Sequence, residues 1–263
     1  MNSFGKASRM ARIFRKETGK TVMLALDHGM ALGPMRGLED PRAVISTLGP
    51  HADSIMLTKG ILSQCTDPAL KAGIVLRVSG GATIAGPDIT AERITTCVEE
   101  ALRLSVAAVA TSIYVGTPNE FATIESLARL ADECHRWDLV LLGVTAMGKD
   151  REKQFDPRHL GLAVRVAAEM GADIIKTYYC GDGFEKVIGA AAGLPVVIAG
   201  GPQMESNLKV LETAEAAIRL GARGVDMGRN VWQADNPTAM IGALGAIIHE
   251  GLSAKEALAR FWG

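Results

Sequence analysis

The sequence predicts a single-domain (β/α)8 (TIM) barrel of the α/β class. Eight short apolar runs, each suited to a strand buried on both faces, alternate with longer helical segments. The chain has 263 residues, close to the roughly 250 residues of a typical barrel. A doubly wound open sheet would also satisfy the alternation. Eight strands favour the barrel, and no GxGxxG motif follows the first strand to indicate dinucleotide binding.

Each predicted strand is an apolar run followed by glycine or by polar residues. In chain order the predicted strands are Val22–Leu26, Ser54–Leu57, Ile74–Val78, Ala107–Thr111, Val140–Val144, Asp173–Thr177, Val196–Ala199 and Gly224–Met227. The chain between successive strands is long enough for one crossover helix, as parallel pairing requires.

Several helix ends are marked by capping residues. Asp40, Asp156 and Asn236 each precede a proline at the first helical position, where their side chains can cap the helix. Capping boxes are predicted at 117–120 and 253–256. Four glycines follow apolar helical turns, where left-handed C-caps are favoured: Gly171, Gly193, Gly221 and Gly251.

Composition and charge exclude several classes of protein. The net charge of −1 gives no excess of basic residues for nucleic acid or an anionic membrane. No apolar run approaches the roughly 18 residues of a membrane span. Four cysteines without CxxC spacing indicate neither a zinc site nor a disulfide framework, and five scattered histidines indicate no catalytic metal. We therefore expect a cytoplasmic protein.

The first 20 residues are basic but lack the apolar core of a secretory signal. We expect residues 1–20 to form a helical segment that contacts the barrel or a neighbouring subunit. Residues 21–263 would then form the catalytic barrel, with no linker to divide them.

Lys176 is the residue that most strongly suggests catalysis. It interrupts an apolar strand, and alternation places it on the face opposite Ile175, so one of the two points into the barrel. Burial disfavours a charged ammonium, and a free amine can attack a carbonyl to form an iminium. The alternative is a buried ion pair, for example with Asp27 across the barrel. Lys59 and Lys149, which also lie at the rim, are the other candidate nucleophiles.

Asp27 and His28 end the first strand, at the rim where barrel enzymes place catalytic groups. A carboxylate there could orient the lysine, bind substrate hydroxyls or transfer a proton. The alternative is that Asp27 caps the following turn and His28 packs locally. Cys180, just after the lysine strand, is more typical of an inert small apolar residue than of a thiolase nucleophile.

Glycines and basic residues at the same rim predict a phosphate site. Gly200, Gly201 and Gly228 follow the seventh and eighth strands, where backbone N–H groups of such barrels commonly bind phosphate. Arg229 adds a positive charge and the several N–H donors of its planar guanidinium. Arg77 and Lys149, after the third and fifth strands, are further candidates for substrate or phosphate binding.

Seven segments resemble the DhnA/DeoC-type class I (Schiff-base) aldolases: TGKTVMLALDHG, GPMRGLE, AMGKD, AAEMGADIIKTYY, GFEKV, VVIAGG and GVDMGRN. Within this superfamily the chain is most similar to the LsrF-like thiolase branch, which degrades the phosphorylated autoinducer-2 signal, 3-hydroxy-5-phosphonooxypentane-2,4-dione. The resemblance runs from about Arg12 to Ile248. DHG, IIKTYY and GVDMGRN are specific in combination, whereas any one of them alone would be weak.

The resemblance implies a Schiff base on Lys176, an active-site acid at Asp27 and phosphate near the glycines and Arg229. It also implies a ring-shaped homo-oligomer such as a decamer, no bound cofactor, and coenzyme A as a co-substrate. One departure concerns the fructose-bisphosphate aldolases of this superfamily, which carry a catalytic tyrosine at the end of strand five, where this chain has Thr145. The thiolase branch is similar to this chain at that position, and we expect Thr145 to be among the catalytic residues, with Lys176, Asp27 and His28.

The function expected is that of a lyase or transferase that acts on a phosphorylated carbonyl compound through Lys176. In the thiolase version, acetyl-CoA and dihydroxyacetone phosphate are the products. The alternatives are an aldolase of fructose 1,6-bisphosphate or a related sugar phosphate and, outside enzymes, a non-catalytic barrel that binds sugar phosphates.

Overall fold

A computed structural model describes residues 3–147 and 151–263, and in it eight parallel strands close into a barrel in chain order. The predicted fold class and all eight predicted strands are confirmed, with ends shifted by up to three residues. The strands are β1 Thr21–Ala25, β2 Ser54–Thr58, β3 Gly73–Arg77, β4 Ala108–Tyr114, β5 Val140–Ala146, β6 Ile174–Tyr178, β7 Val196–Ala199 and β8 Gly224–Met227. A two-residue ladder pairs Ser79–Gly80 with Arg93–Ile94 beyond β3.

Helices cover the outside of the barrel. They are α1 Phe4–Met10, α2 Gly29–Leu32, α3 Pro41–Leu48, α4 Lys59–Cys65, α5 Val98–Arg103, α6 Glu120–Arg136, α7 Arg151–Gln154, α8 Pro157–Glu169, α9 Phe184–Ala190, α10 Asn207–Arg219, α11 Arg229–Trp232, α12 Pro237–Gly245 and α13 Ala254–Trp262. A 3-10 turn at Gly49–His51 and a π-helical turn at Ala246–Glu250 extend α3 and α12. No helix within the described ranges is long and apolar enough to cross a membrane.

Most of the predicted caps are present. Asp40, Asp156 and Asn236 accept hydrogen bonds from the first turns of α3, α8 and α12. The box at 253–256 is complete, and the four predicted C-terminal glycines all have positive φ.

The capping box predicted at 117–120 is wrong. The Thr117 hydroxyl donates to the Tyr114 carbonyl at 2.9 Å, and the Glu120 carboxylate accepts from Gly116 rather than from Thr117. These contacts close a turn at the end of β4. Helix α6 therefore begins at Glu120 and has no side-chain cap.

The N-terminal segment closes one end of the barrel. After α1, Ile13 (fully buried) and Phe14 belong to a cluster that includes the inward-facing Met23, Met56 and Ile174. A side chain at Gly73, the first residue of β3, would collide with the carbonyl of Arg12. The polar strand endings lie at the opposite end of the barrel, at the carboxyl ends of the strands.

Candidate active site

A cavity of about 270 Å³ opens at the carboxyl ends of the strands. Its polar walls bring together residues from strands far apart in sequence: Asp27, His28, Arg77, Glu92, Tyr114, Lys176, Tyr178, Asp226 and Arg229. A larger groove, of about 880 Å³, lies at the other end of the barrel between the N-terminal segment, α3 and the segment before β3. Because a buried lysine and buried carboxylates converge in the smaller cavity, we take it as the candidate active site.

Lys176 points into the barrel, which is one of the two orientations that alternation allows. Its neighbours Ile174 and Ile175 lie in different apolar clusters, Ile174 inside the barrel and Ile175 beneath the helices. The lysine is only 8% exposed. Its Nζ lies 2.8 Å from Asp226 Oδ2, on β8. The ion-pair partner suggested from the sequence, Asp27, is therefore wrong, and the carboxylate in contact with the lysine is Asp226.

Asp226 is the most enclosed acidic group of the cavity. Its side chain is completely buried, and neither Oδ1 nor Oδ2 has a hydrogen-bond partner of good geometry among the described residues, so the contact with Lys176 is an ion pair. Burial raises the pKa of Asp226 above its ordinary value, although the nearby positive charge of Lys176 opposes the shift. Asp226 can therefore hold a proton under conditions in which an exposed aspartate would not.

Asp27 has the opposite electrostatic environment. Burial raises its pKa, but the charges of Arg77, His28 and Lys176 outweigh burial, so the pKa lies below its ordinary value. Arg77 Nη1 lies 3.4 Å from its carboxylate. Asp27 is thus an ionised carboxylate at neutral pH. It is suited to accept a proton, or a hydrogen bond from a substrate hydroxyl.

His28, the next residue, is neutral at the same pH. Burial, reinforced by the positive charges of Lys176, Arg229 and Arg77, lowers the pKa of His28 to about 4, although Asp27 opposes the shift. Its ring meets the Trp232 ring edge-on, with 5.7 Å between centroids. A neutral imidazole next to a carboxylate can accept or donate a hydrogen bond to a substrate without adding charge to the cavity.

A hydrogen-bonded network that the sequence reasoning missed forms one wall. Arg77 donates to both oxygens of Glu92, at 2.8 and 3.0 Å, and the Tyr114 hydroxyl donates to Glu92 at 2.7 Å. Burial and the charge of Glu92 raise the pKa of Tyr114, so the phenol keeps its proton at neutral pH. With its guanidinium bonded to Glu92 and Ser112 and facing Asp27, Arg77 positions carboxylates. Its predicted role in phosphate binding stays a prediction.

The predicted phosphate residues lie together on the opposite wall. Gly200, Gly201, Gly228 and Arg229 all border the cavity, and Arg229 begins α11 directly after Gly228. Asn230, which the sequence reasoning did not assign, holds this wall in place. Its amide donates to the Gly200 carbonyl at 2.8 Å and accepts from the Met204 N–H at 2.8 Å.

Thr145 borders the cavity, but its hydroxyl does not face it. Val144, not Thr145, is level with Lys176 in the β5–β6 register. The Thr145 hydroxyl lies 2.9 Å from that of Thr177 and 3.2 Å from the Lys176 carbonyl oxygen. The catalytic role predicted for Thr145 stays a prediction, and its hydroxyl is placed to support the lysine strand.

Other candidate residues lie away from the cavity or outside the described residues. Lys149 falls outside the described residues. Lys59 is exposed at the start of α4 and, like Cys180, does not border the cavity. In the part of the chain that the structure describes, no three His, Cys, Asp or Glu side chains are grouped to hold a metal ion.

Together, the closed barrel and a buried lysine among acid and phosphate-binding candidates at its carboxyl rim define a class of protein: enzymes of the aldolase kind built on a (β/α)8 barrel. The profile of the DeoC/LacD family aldolases matches residues 21–234. The chain therefore belongs to this family and is an enzyme of the aldolase family.

Comparison with individual proteins agrees with this assignment. The chain is 43% identical over 259 residues to a 3-hydroxy-5-phosphonooxypentane-2,4-dione thiolase of Enterobacter sp. (strain 638), covering 98% of this chain and 86% of the relative. It superposes on an archaeal fructose 1,6-bisphosphate aldolase with a TM-score of 0.85 at 29% identity, covering 94% and 100% of the two chains. A second archaeal aldolase structure, with its catalytic lysine bound to a carbinolamine intermediate, gives 0.84 at 28% identity, covering 92% and 99%.

Proposed function

We propose that this enzyme forms a Schiff base between Lys176 and a phosphorylated dicarbonyl compound and transfers an acetyl group to coenzyme A. The observation that carries the proposal is the buried Lys176 amine in contact with Asp226, beside the glycine and Arg229 wall of one small cavity. That arrangement suits a small substrate with a carbonyl at one end and a phosphate at the other.

The substrate proposed is 3-hydroxy-5-phosphonooxypentane-2,4-dione, the compound named for relatives with 43% identity over nearly the whole chain. Arg229 and the N–H groups near Gly200, Gly201 and Gly228 would hold its phosphate. Of the two carbonyls, C4 is the nearer to the phosphate, two bonds from the ester oxygen, and we assign it to Lys176, which borders the same cavity as the phosphate wall.

The proposed chemistry is balanced without any bound cofactor. Lys176 forms an iminium at C4, and the thiolate of coenzyme A adds to the C2 carbonyl carbon. When the C2–C3 bond breaks, its electron pair moves into the C3–C4 enamine, while the acetyl group leaves as acetyl-CoA. C3 then takes up a proton, from the thiol by way of Asp27 or water, and hydrolysis of the iminium releases dihydroxyacetone phosphate.

A second candidate is aldol cleavage of fructose 1,6-bisphosphate, because the chain superposes well on the archaeal aldolases. That reaction needs a base for the C4 hydroxyl proton of the sugar, and Thr145 presents no hydroxyl to the cavity. Two phenols, Tyr114 and Tyr178, do border it. Tyr114 is already bonded to Glu92, which leaves it poorly placed to accept a proton.

We further propose that the enzyme is a cytoplasmic homo-oligomer such as a decamer. Its four cysteines are all free, which suits a reducing compartment. Large apolar side chains at the surface, including Phe121 at 78% exposure and Leu162 at 51%, suit burial between subunits. Sedimentation velocity would measure the oligomeric state, and a monomer at micromolar concentration would contradict this part of the proposal.

The test of function is an assay of both substrates side by side. Native enzyme should release acetyl-CoA from the phosphorylated pentanedione when coenzyme A is supplied, and should cleave fructose 1,6-bisphosphate poorly. Lys176→Ala should lose the coenzyme A-dependent product, whereas Lys59→Ala, at an exposed lysine outside the cavity, should retain it. Efficient native cleavage of the bisphosphate with no coenzyme A-dependent product would establish the aldolase instead.

A further inference from the structure

We infer that Asp226 is a catalytic residue that takes the proton Lys176 must lose before attack and returns it to the carbinolamine hydroxyl as water leaves. This inference rests on the proposed function, because it requires an iminium on Lys176. It assigns the acid and base of iminium formation to β8, and leaves Asp27 for the later proton transfers.

The first argument is contact. Asp226 Oδ2 lies 2.8 Å from Lys176 Nζ, the atom that would bond to the substrate carbon. Alternation along β8 turns Asp226 inward, while Val225 and Met227 pack beneath the helices. Asp27 has its closest charged contacts with Arg77 and His28 instead. Among the described residues Asp226 is thus the acidic group in ion-pair contact with the reacting nitrogen.

The second argument is proton balance. The pair of Lys176 and Asp226 holds one proton that can move between the amine and the carboxylate. Attack of the free amine on the carbonyl carbon gives a carbinolamine once the nitrogen proton has moved to the oxygen. The carboxylic acid then protonates the departing hydroxyl, and the nitrogen lone pair forms the C=N bond. Amine, carboxylic acid and ketone become iminium, carboxylate and water. The proton that the pair shares ends in the water, and the step needs no proton from elsewhere.

The third argument is electrostatic. The pair has no net charge before the step, and the iminium and carboxylate that replace it also sum to zero. In a site where the Asp226 side chain has no exposure, a step that conserves charge avoids the cost of burying a new unpaired ion. Burial raises the pKa of Asp226 above its ordinary value and so favours its protonated form, whereas the lowered pKa of Asp27 keeps that residue ionised.

The experiment measures iminium formation apart from turnover. Native enzyme, Asp226→Asn and Asp226→Ser are mixed with dihydroxyacetone phosphate, and the Lys176 adduct is trapped with borohydride at successive times and counted by mass spectrometry. The Asp226 variants should form the adduct at least about 100-fold more slowly, the scale of a lost general acid. Their affinity for inorganic phosphate should match that of native enzyme. Asp27→Asn, which removes a different carboxylate of the same cavity, should still form the adduct while overall turnover falls.

Buffer dependence separates catalysis from a merely structural role. With an internal proton donor, the native rate should not depend on buffer concentration, whereas small carboxylic acid buffers should accelerate folded Asp226 variants. A variant that traps at the native rate with the native pH profile would overturn the role of Asp226 and leave the proposed function intact. So would a native rate that rises with buffer concentration, a test that needs no variant to fold. If native enzyme yields no adduct on Lys176, both the function and this inference fail.

Discussion

At the scale of single residues, two aspartates in one cavity have pKa values shifted in opposite directions, because their surroundings differ. Asp226 is buried against one cation, and its pKa is raised mainly by burial. Asp27 is buried near Arg77, His28 and Lys176, and these charges lower its pKa despite burial. Distinct environments for two carboxyl groups are a common way of assigning one as acid and the other as base.

Prediction of these residues from sequence depended on how far each strand extends. Lys176 and Asp27 were found because they interrupt or end apolar runs. The alternation argument that placed Lys176 inside the barrel would also have placed Asp226 there, between Val225 and Met227. Tyr114 was missed because β4 extends three residues beyond its predicted end at Thr111. Glu92 lies in a long connection without periodicity, and only the folded chain brings it to Arg77.

Arg229→Ala should weaken binding of phosphorylated substrates. Loss of a charge-assisted hydrogen bond is worth about 1.5–3 kcal/mol, roughly 10- to 150-fold in affinity. Competition by inorganic phosphate, measured by calorimetry, would check it. Arg103→Ala, at an exposed arginine paired with Glu100 on α5, is the matched control and should bind normally. Equal affinity of Arg229→Ala and native enzyme would place the phosphate site elsewhere.

His28 makes stability depend on pH in a defined window. Its pKa is about 4 in the folded protein, chiefly through burial, against 6.5 for an ordinary histidine. Between these values the unfolded chain binds the proton more readily, so His28's contribution to stability is present above pH 6.5 and is lost as the pH falls toward 4. The loss is on the order of 3 kcal/mol.

Urea unfolding across this pH range would measure the dependence. The free energy of unfolding of native enzyme should fall more steeply with acid than that of His28→Gln. Parallel slopes for the two proteins would mean that His28 is protonated as easily in the folded state as in the unfolded chain.

At the scale of elements, the junction between β8 and α11 depends on glycine. A Cβ at Gly228 would lie 2.5 Å from His28 Cε1 and 2.7 Å from the Ala25 carbonyl oxygen. The backbone of β1 cannot easily move, because β1 pairs with both β2 and β8. The close approach of these strand ends brings the His28 side chain against the phosphate wall.

Gly228→Ala should therefore lower both stability and phosphate affinity. Overpacking of a well-packed site typically costs about 1–3 kcal/mol, to be measured by thermal unfolding together with phosphate binding. Gly29→Ala is the matched control, since nothing lies within 4 Å of a Cβ there and alanine is the better helix former. A fully stable Gly228→Ala would show that the strand ends are not as closely packed as described.

Sequence patterns gave most element boundaries because caps and C-terminal glycines are local signals. The exception, the capping box predicted at 117–120, failed because the Thr117 hydroxyl bonds back to the Tyr114 carbonyl. That carbonyl belongs to the part of β4 beyond its predicted end. Pairing of β4 with β5 extends to Tyr114 and Ala146, and such non-local pairing cannot be read from a short sequence pattern.

At the scale of the whole molecule, the N-terminal segment closes one end of the barrel and the candidate active site lies at the other end. Ile13→Ala should destabilise the protein by about 2–5 kcal/mol, because it leaves a cavity beneath the barrel floor. Phe4→Ala, at a side chain that is 90% exposed, should cost little. Urea unfolding would compare them, and equal effects would mean that the segment does not seal the barrel as described.

The central claim is that Lys176 is the nucleophile of this aldolase-family barrel, and borohydride trapping tests it most directly. Native enzyme is incubated with the phosphorylated pentanedione or with dihydroxyacetone phosphate, reduced with borohydride, digested and sequenced by mass spectrometry. We expect a single substrate adduct on the peptide that contains Lys176, and none in Lys176→Ala. An adduct on Lys59 or Lys149, with Lys176 unmodified, would contradict the claim.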